Sequence, residues 1–264
     1  MATERWVLVE QGTLETGERV ALDRLESQHL AVTLRLRPGD TVTLCDGRGG
    51  VADAALEIVD ARRCEARIVA RHEPLAVPPP RVVVGLGVLH GQAMDWAVQK
   101  CVETGVAGFV PLLVERSQLG ARAAAARAEH WRRVARQALK QCRRPWQMEV
   151  AEPQALERLV AERAGAAGLV ADPAGDPIAA LPGPLPDLLV VGPEGGFAPG
   201  ERQLLREASW PEVRLGRWVL RAETAAVVGA AMLIAEHEAR AAAGDAPGQP
   251  GGFGNGNGSG SGGS

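Results

Sequence analysis

From residue 82 onward, short continuous apolar runs alternate with segments that repeat their apolar residues at helical spacing. Such runs are typical of strands that are buried on both faces of a sheet. They are VVVGLGV at 82–88, FVPLLV at 109–114, GLVAD at 168–172, LLVVG at 188–192 and VRLG at 213–216. Helices are predicted at 92–104, 123–142, 154–164, from Pro199 onward and from about Ala222 to Ala242. Because buried strands joined by helices form parallel sheets, we predict an α/β domain with a mostly parallel sheet for 82–243.

The chain before residue 74 has a different pattern. Alternating apolar and polar residues at 5–10, 41–47 and 51–60 predict strands, and 27–36 predicts one short helix. Residues 1–73 are therefore predicted to be a small β-rich domain.

Two further segments have compositions that do not favour regular structure. Three consecutive prolines, Pro78 to Pro80, cannot continue a helix or a central strand, so 74–81 is predicted to be a linker. Residues 244–264 are rich in Gly, Ser and Asn. We predict that they form a disordered tail.

The composition excludes several classes of protein. Hydrophobic residues make up 46% of the chain and charged residues 23%, which provides enough apolar material for a core. No stretch approaches the roughly 18 consecutive apolar residues of a membrane helix, and the first residues lack the layout of a signal peptide. The 4 cysteines form no CxxC pair and the 5 histidines are dispersed, so neither a disulfide framework nor a metal site is expected. We therefore expect a cytoplasmic protein that does not associate with membranes.

The net charge of −3 conceals one strongly basic segment. Residues 115–144 hold 9 basic residues against 2 acidic ones. Such a local excess is the electrostatic footprint of a protein that binds a polyanion such as nucleic acid. The alternative is a solvated face of an arginine-rich helix, and charge alone does not separate the two.

Two glycine-containing segments stand where ligands bind in α/β proteins, between the end of a strand and the start of a helix. They are GPEGGF at 192–197 and LGRWVLRAETAA at 215–226. Glycines there let a ligand approach the backbone, although a tight turn needs them as well. Glu194 would repel a phosphate, so a cationic or neutral cofactor fits better. Arg221 directly precedes the predicted last helix, where the helix dipole disfavours a cation. A residue placed against this preference indicates a function, unless Arg221 forms a structural ion pair with Glu194 or Glu223.

A third glycine segment, GLGVLHG at 85–91, does not fit a dinucleotide site. His90 stands where the third glycine of G-x-G-x-x-G belongs, and the glycines lie within the predicted strand. The sequence also contains no P-loop and no G-x-S-x-G nucleophile elbow.

With GPEGGF and LG-x-x-VLR-x-ETAA at this spacing, the chain resembles the RsmE family of bacterial 16S rRNA (uracil-N3)-methyltransferases, in the SPOUT superfamily. The similarity spans about 5–243 and includes HLAVTLRLRPGDTVTLCDGRG at 29–49, VQKCVETGV at 98–106, PLLVERS at 111–117 and W-x-x-V-x-x-Q-A-x-x-Q-C at 131–142. The chain departs from the family pattern around Ala93, where a basic residue is usual. It also departs at Lys140 and Arg143, where an acidic residue and a glycine are common.

The resemblance implies a PUA-like RNA-binding β-barrel in 1–73 and a trefoil knot in the α/β domain 82–243. It implies a homodimer, S-adenosylmethionine as methyl donor, and a uridine of 16S rRNA in the small ribosomal subunit as substrate. It also implies a cofactor pocket formed largely by the backbone of Ala171, Gly192, Pro193, Gly195, Gly196, Leu215, Gly216, Leu220, Thr224 and Ala225.

Arg221 and Glu194 are the predicted catalytic residues. Methylation of uracil N3 requires that N3 lose its proton and that the resulting anion be stabilised. We predict that Arg221 stabilises this charge, and that Glu194 acts as a base or orients Arg221. The predicted RNA-binding residues are Arg5, Arg35, Arg116, Arg136, Arg143 and Arg144, each of which has solvation or an ion pair as its alternative role.

Two other functions are consistent with the same motifs. One is a different SPOUT activity, such as methylation of the 2′-oxygen of a tRNA ribose. The other is a non-catalytic RNA-binding factor of ribosome assembly, which the intact GPEGGF and VLRAETAA motifs disfavour.

Overall fold

The structure, a computed structural model, describes residues 5–9, 14–73 and 80–243. Most of the predicted linker (residues 74–79) and the predicted tail, 244–264, lie outside the described residues. A five-stranded sheet within 6–71 is followed by a seven-stranded sheet within 83–214. No helix in the described part of the chain is long and apolar enough to cross a membrane.

The N-terminal sheet is mostly antiparallel. Its elements are β1 (Trp6–Leu8), β2 (Arg19–Ala21), α1 (Arg24–Gln28), β3 (Thr41–Cys45), β4 (Val51–Val59) and β5 (Cys64–Arg71), and a π-helical turn at His29–Thr33 continues α1. The strand order is β1-β3-β4-β5-β2, and only β1 and β3 run parallel. Along β4, Ala52, Ala54 and Leu56 are buried in turn, as the alternating sequence pattern predicts.

The strands predicted at 5–10, 41–47 and 51–60 are confirmed, whereas β2 and β5 were not predicted. The alternation in β5 is obscured by charge, because its outer face carries residues such as Arg67, whose Nε lies 2.5 Å from the Glu57 carboxylate. The short helix lies slightly earlier than predicted. It begins after Asp23, whose carboxylate accepts a hydrogen bond of 2.7 Å from the Glu26 amide and so caps the helix.

The C-terminal sheet, which was predicted to be mostly parallel, is entirely parallel. Its strands are β6 (Val83–Gly87), β7 (Gly108–Leu113), β8 (Glu149–Val150), β9 (Gln154–Ala155), β10 (Leu169–Pro177), β11 (Leu188–Val191) and β12 (Glu212–Arg214). The helices are α2 (Gln92–Thr104), α3 (Ala121–Cys142), α4 (Leu156–Glu162), α5 (Pro199–Glu207) and α6 (Ala222–Ala242). The strand order is β12-β10-β11-β6-β7-β8, with β9 paired to β7. The α/β fold class is confirmed, and this order is consistent with the knot that the resemblance implies.

One predicted helix is shorter than expected. Residues 154 and 155 pair with Leu112 and Leu113 of β7, so α4 begins only at Leu156 instead of at residue 154. The pairing partner lies far away in sequence, and local periodicity cannot reveal it. By contrast, α2 ends as predicted at Gly105, whose φ of 99° places it in the left-handed region that glycine adopts without strain.

The last helix lies close against the sheet. α6 packs against β6, β11 and α2. A Cβ atom on Gly229 would lie only 2.4 Å from Leu189 of β11, so a glycine is required for this approach. The packing fixes the start of α6 above the ends of the central strands.

The two sheets meet along the end of α3. Leu8 and Cys45 of the N-terminal sheet belong to the same buried core as Trp131 and Leu139 of α3. The Gln147 amide donates a hydrogen bond of 2.8 Å to the Gly47 carbonyl. We call the contacts between the N-terminal sheet and residues 131–147 the seam.

Candidate active site

A cavity of about 380 Å³ opens where the carboxyl ends of β10, β11 and β12 meet the start of α6. In an open parallel sheet this edge is where ligands bind. Residues 192–197 and 214–222 supply most of the wall, and Ala171 to Pro173 complete it.

The loop at 192–197 is a tight turn. The Gly196 amide donates a hydrogen bond of 2.7 Å to the Pro193 carbonyl, and Gly196 has a φ of 67°. A Cβ atom on Gly192 would lie 3.1 Å from the backbone of Gly196. The glycines therefore serve the turn, and they also leave its backbone accessible from the cavity.

The glycines of the 85–91 segment have a packing role. A Cβ atom on Gly87 would lie 2.4 Å from Pro193, so β6 accommodates the 192–197 loop only with glycine at this position. Packing therefore accounts for Gly87 without a dinucleotide, which is consistent with the failed G-x-G-x-x-G pattern.

The second loop, 215–221, leads from β12 into α6. Arg221 is the last residue before the helix, and its carbonyl accepts a hydrogen bond of 2.8 Å from the Ala225 amide. Its side chain is exposed and lines the cavity. The ion pair with Glu194 or Glu223 that was the structural alternative is not formed, and no other described carboxylate pairs with Arg221.

Both predicted catalytic residues and most predicted cofactor residues lie at this cavity. Arg221 and Glu194 line it, and so do Ala171, Gly192, Pro193, Gly196, Leu215, Gly216, Leu220 and Ala225. Gly195 and Thr224 are not among the lining residues. The Gly195 carbonyl instead accepts a hydrogen bond of 2.6 Å from Arg116, so this arginine supports the loop from outside.

Sequence reasoning missed several side chains of the wall, of which three bear on its chemistry. Arg202 of α5 donates to Asp172 at 2.7 Å and closes one side of the cavity. Trp218 and Val219 stand at its mouth. Arg202 lies outside the quoted motifs and Trp218 occupies an x position of LG-x-x-VLR, so neither was indicated as a site residue, and Val219, although part of VLR, was not assigned to the pocket.

Outside the cavity, the predicted RNA-binding arginines have different surroundings. Arg35 and Arg143 are exposed, with left-handed φ values of 53° and 56°. Arg136 forms an ion pair of 2.9 Å with Glu129, and Arg5 lies half-buried before β1.

Arg144, one of the predicted RNA-binding residues, has a structural role. Its guanidinium donates to the carbonyls of Val102, Gly105 and Val106 at 3.1, 3.0 and 2.6 Å, at the end of α2. Burial lowers the pKa of this guanidinium. Arg144 thus caps a helix end, and three of its five N–H donors are occupied there.

The thiols and the charged side chains of the described residues offer no second chemistry. Burial raises the pKa of the Cys45 and Cys101 thiols to about 12, so neither is a reactive thiolate. No group of three or more His, Cys, Asp or Glu side chains within the described ranges is arranged to hold a metal ion.

A second and larger cavity, of about 730 Å³, lies on the opposite side of the sheet, at the amino ends of β6, β7 and β8. It is lined by charged residues that neutralise one another, such as Arg163 and Asp187 at 2.6 Å. We take the smaller cavity as the candidate ligand site because it lies at the carboxyl strand ends and is bordered by the two glycine-containing loops.

Comparison with known proteins identifies the family of the chain. The family model described as RNA methyltransferase domain matches residues 77–234, and RNA methyltransferase PUA domain matches 22–69. Ribosomal RNA small subunit methyltransferase E of Mycobacterium bovis is 35% identical over 227 residues, which cover 81% of this chain and 85% of that protein. The protein of the same name from Aquifex aeolicus is 34% identical over 172 residues, covering 64% of this chain and 74% of that one.

Two solved structures share the fold over almost the whole chain. A methyltransferase from Legionella pneumophila in complex with SAM has a TM-score of 0.80 and 28% identity, and covers 89% of this chain and 98% of its own. Ribosomal RNA small subunit methyltransferase E from Neisseria gonorrhoeae, bound to S-adenosyl methionine, has a TM-score of 0.78 and 26% identity, and covers 90% and 98%. The chain therefore belongs to the RNA methyltransferase family that includes ribosomal RNA small subunit methyltransferase E.

Proposed function

We propose that this protein transfers a methyl group from S-adenosylmethionine to N3 of a uridine in the 16S rRNA of the small ribosomal subunit. The observation that carries the proposal is that the two signature loops form one cavity, whose wall includes both Glu194 and Arg221, and Arg221 forms no ion pair with a described carboxylate. The names of the relatives and the SAM-bound structures support the reaction class.

The cavity fits the proposed cofactor in size and in chemistry. Small-molecule sites have volumes of roughly 300–1,000 Å³, and the cavity measures about 380 Å³. When bound, S-adenosylmethionine supplies the methyl group from a positively charged sulfonium. The backbone of 192–197 and of 215–220, with Ala171, would hold it. Glu194 is compatible with a cationic cofactor, whereas it would repel a phosphate.

Arg221 is suited to act on the uracil. Uracil N3 carries a proton at neutral pH, and the ring becomes an anion when that proton leaves. A guanidinium with no carboxylate partner stabilises such an anion, and its exposed position at the cavity wall allows contact with a uracil oxygen.

Glu194 is the proposed proton acceptor or the group that orients Arg221. Its side chain is exposed at the cavity wall, and no described cation forms an ion pair with it. A carboxylate within reach of N3 would accept its proton, while one that contacts Arg221 would fix the direction of the guanidinium.

RNA binding is proposed for the surface around α3. Arg35, Arg116, Arg136 and Arg143 remain candidates for phosphate contacts, with Arg5 beside the N-terminal sheet. We propose 1–73 as the RNA-binding domain and 82–243 as the methyltransferase domain, joined by 74–81. We further propose a homodimer that acts in the cytoplasm on the assembled small subunit.

The test is identification of the methylated nucleoside. Small ribosomal subunits from a strain that lacks such an enzyme are incubated with the protein and labelled S-adenosylmethionine, then digested for mass spectrometry. N3-methyluridine is the expected product. A ribose-methylated nucleoside, transfer only to tRNA, or cofactor binding without any transfer would each overturn the proposal.

A further inference from the structure

Trp218 stands in the loop between β12 and α6 with 77% of its surface exposed, and its neighbour Val219 is 81% exposed. Both line the mouth of the candidate cavity. Trp131 and Trp210, by comparison, are buried in the core. Because an indole gains much free energy from burial, a solvated one at a ligand cavity presents a free aromatic face.

The charges around this ring have one dominant sign. Arg214, Arg217 and Arg221 lie in the same short segment, and all three side chains are exposed. None of them forms an ion pair with a carboxylate of the described residues. Glu194 shares the cavity, while Asp172 is already paired with Arg202. The mouth of the cavity therefore combines an aromatic plane with unpaired guanidinium groups.

This combination matches the chemistry of single-stranded nucleic acid. Unpaired bases stack on aromatic side chains, and guanidinium groups bind the phosphates on either side. A base must leave its own stack before an enzyme can methylate its ring, so it needs a replacement surface at the entrance to the site.

We infer that Trp218 is a stacking platform for an unpaired RNA base at the mouth of the cavity. This inference rests on the proposed function and adds a residue that contacts the RNA. Binding of a second copy of the chain to this surface is disfavoured. A two-fold symmetric contact centred on this loop would bring Arg214, Arg217 and Arg221 of both copies close together.

The first test separates RNA binding from cofactor binding. We expect Trp218→Ala to raise KM for small ribosomal subunits about 10-fold or more, the effect of losing one stacked base, while the Kd for S-adenosylmethionine is unchanged. Trp218→Phe, which keeps an aromatic face, should restore most of the affinity. Trp96→Ala is the matched control, since Trp96 is also exposed, at 41%, but does not line the cavity.

Three results would overturn the inference. An unchanged KM for Trp218→Ala would show that no base stacks there. An equal loss of S-adenosylmethionine affinity would assign the ring to the cofactor. A change in sedimentation coefficient would assign it to contact between copies.

A second test does not depend on the identity of the reaction product. Single-stranded oligouridylate is titrated into the protein while tryptophan fluorescence is recorded. We expect quenching in the wild type that is absent in Trp218→Phe, and equal quenching in both would contradict the inference. If the wild type forms no N3-methyluridine, the proposed function is wrong. This titration would still show whether an unpaired base stacks on Trp218.

Discussion

Arg144 and the arginines at the cavity mouth have opposite surroundings. Arg144, which follows α3, is half-buried and donates to three carbonyls at the end of α2. Arg221 at the cavity is exposed and has no ion-pair partner among the described residues. The sequence analysis predicted that both arginines act on RNA. Only their hydrogen-bond and ion-pair partners distinguish an arginine that stabilises the fold from one that is available to a substrate.

This difference has an energetic basis. Removing a buried donor leaves its acceptors unsatisfied, so its contribution appears as stability. Removing an exposed and unpaired donor costs the fold little, so any large effect must appear in binding or catalysis. Stability and activity should therefore respond to different arginines.

The largest expected effect is on catalysis by Arg221→Ala. The rate of methyl transfer should fall about 100- to 1,000-fold, as it does when one charge-stabilising donor is removed from an active site. The urea midpoint should stay at the wild-type value because the side chain is exposed. Single-turnover transfer to small subunits measures the first and urea unfolding the second. The control is Arg158→Ala. Arg158 lies on α4 at the second cavity, so this variant should keep full activity.

The next effect is a loss of stability in Arg144→Met. Three carbonyls at the end of α2 lose their donor, and the free energy of unfolding should fall by about 2–4 kcal/mol. Urea unfolding with Arg133→Ala, an exposed position on α3, as control measures this loss. Equal stability of the two variants would contradict the structural role of Arg144.

A third effect concerns the buried thiols Cys45 and Cys101. Burial raises their folded pKa to about 12, well above the ordinary value of a cysteine thiol, so the unfolded chain loses these protons first as pH rises. The contribution of each thiol to the free energy of unfolding should be constant below about pH 9 and decline above it, by about 1 kcal/mol near pH 10. The chain has no tyrosine and only the lysines Lys100 and Lys140, so few other groups titrate in this range.

Thermal unfolding as a function of pH measures this decline. Cys101→Ala should flatten the curve between about pH 9 and pH 11, apart from a constant offset for the lost packing. A curve for Cys101→Ala that runs parallel to that of the wild type would contradict the assignment.

The smallest expected effect is the coupling between Glu26 and Lys140. This ion pair joins α1 to α3 across the seam, with side-chain exposures of 10% and 21%. Glu26→Gln and Lys140→Met should each destabilise the protein, and their double-mutant cycle should give a coupling of about 1 kcal/mol. A coupling of zero would mean that the apolar contacts alone hold the seam.

Sequence predicted the elements whose signals are local. The bounds of α2 and α6 agree with the predicted ones, because Gly105 ends the first and a strand-to-helix turn begins the second. Residues 154–155 were assigned to a helix, although they form β9, because their partner β7 lies about forty residues earlier in the chain. Long-range pairing of this kind leaves no trace in periodicity.

The same distinction holds for the candidate site. The loops at 192–197 and 215–221 were predicted from strand ends, glycines and the family motif, and the structure brings them to one cavity. The capping role of Arg144 was not predicted, because its acceptors are contributed by the end of another helix. The exposure of Trp218 also required the structure, since a tryptophan in sequence is more often part of a core.

The central claim is that the cavity at the carboxyl edge of the sheet holds the cofactor. Hydrogen exchange of the backbone amides, recorded with and without S-adenosylmethionine, tests it most directly. We predict slower exchange at 192–197 and 215–221, whose backbone forms the wall of this cavity. Slower exchange confined to the residues around the second cavity, or no change in either loop, would contradict the claim.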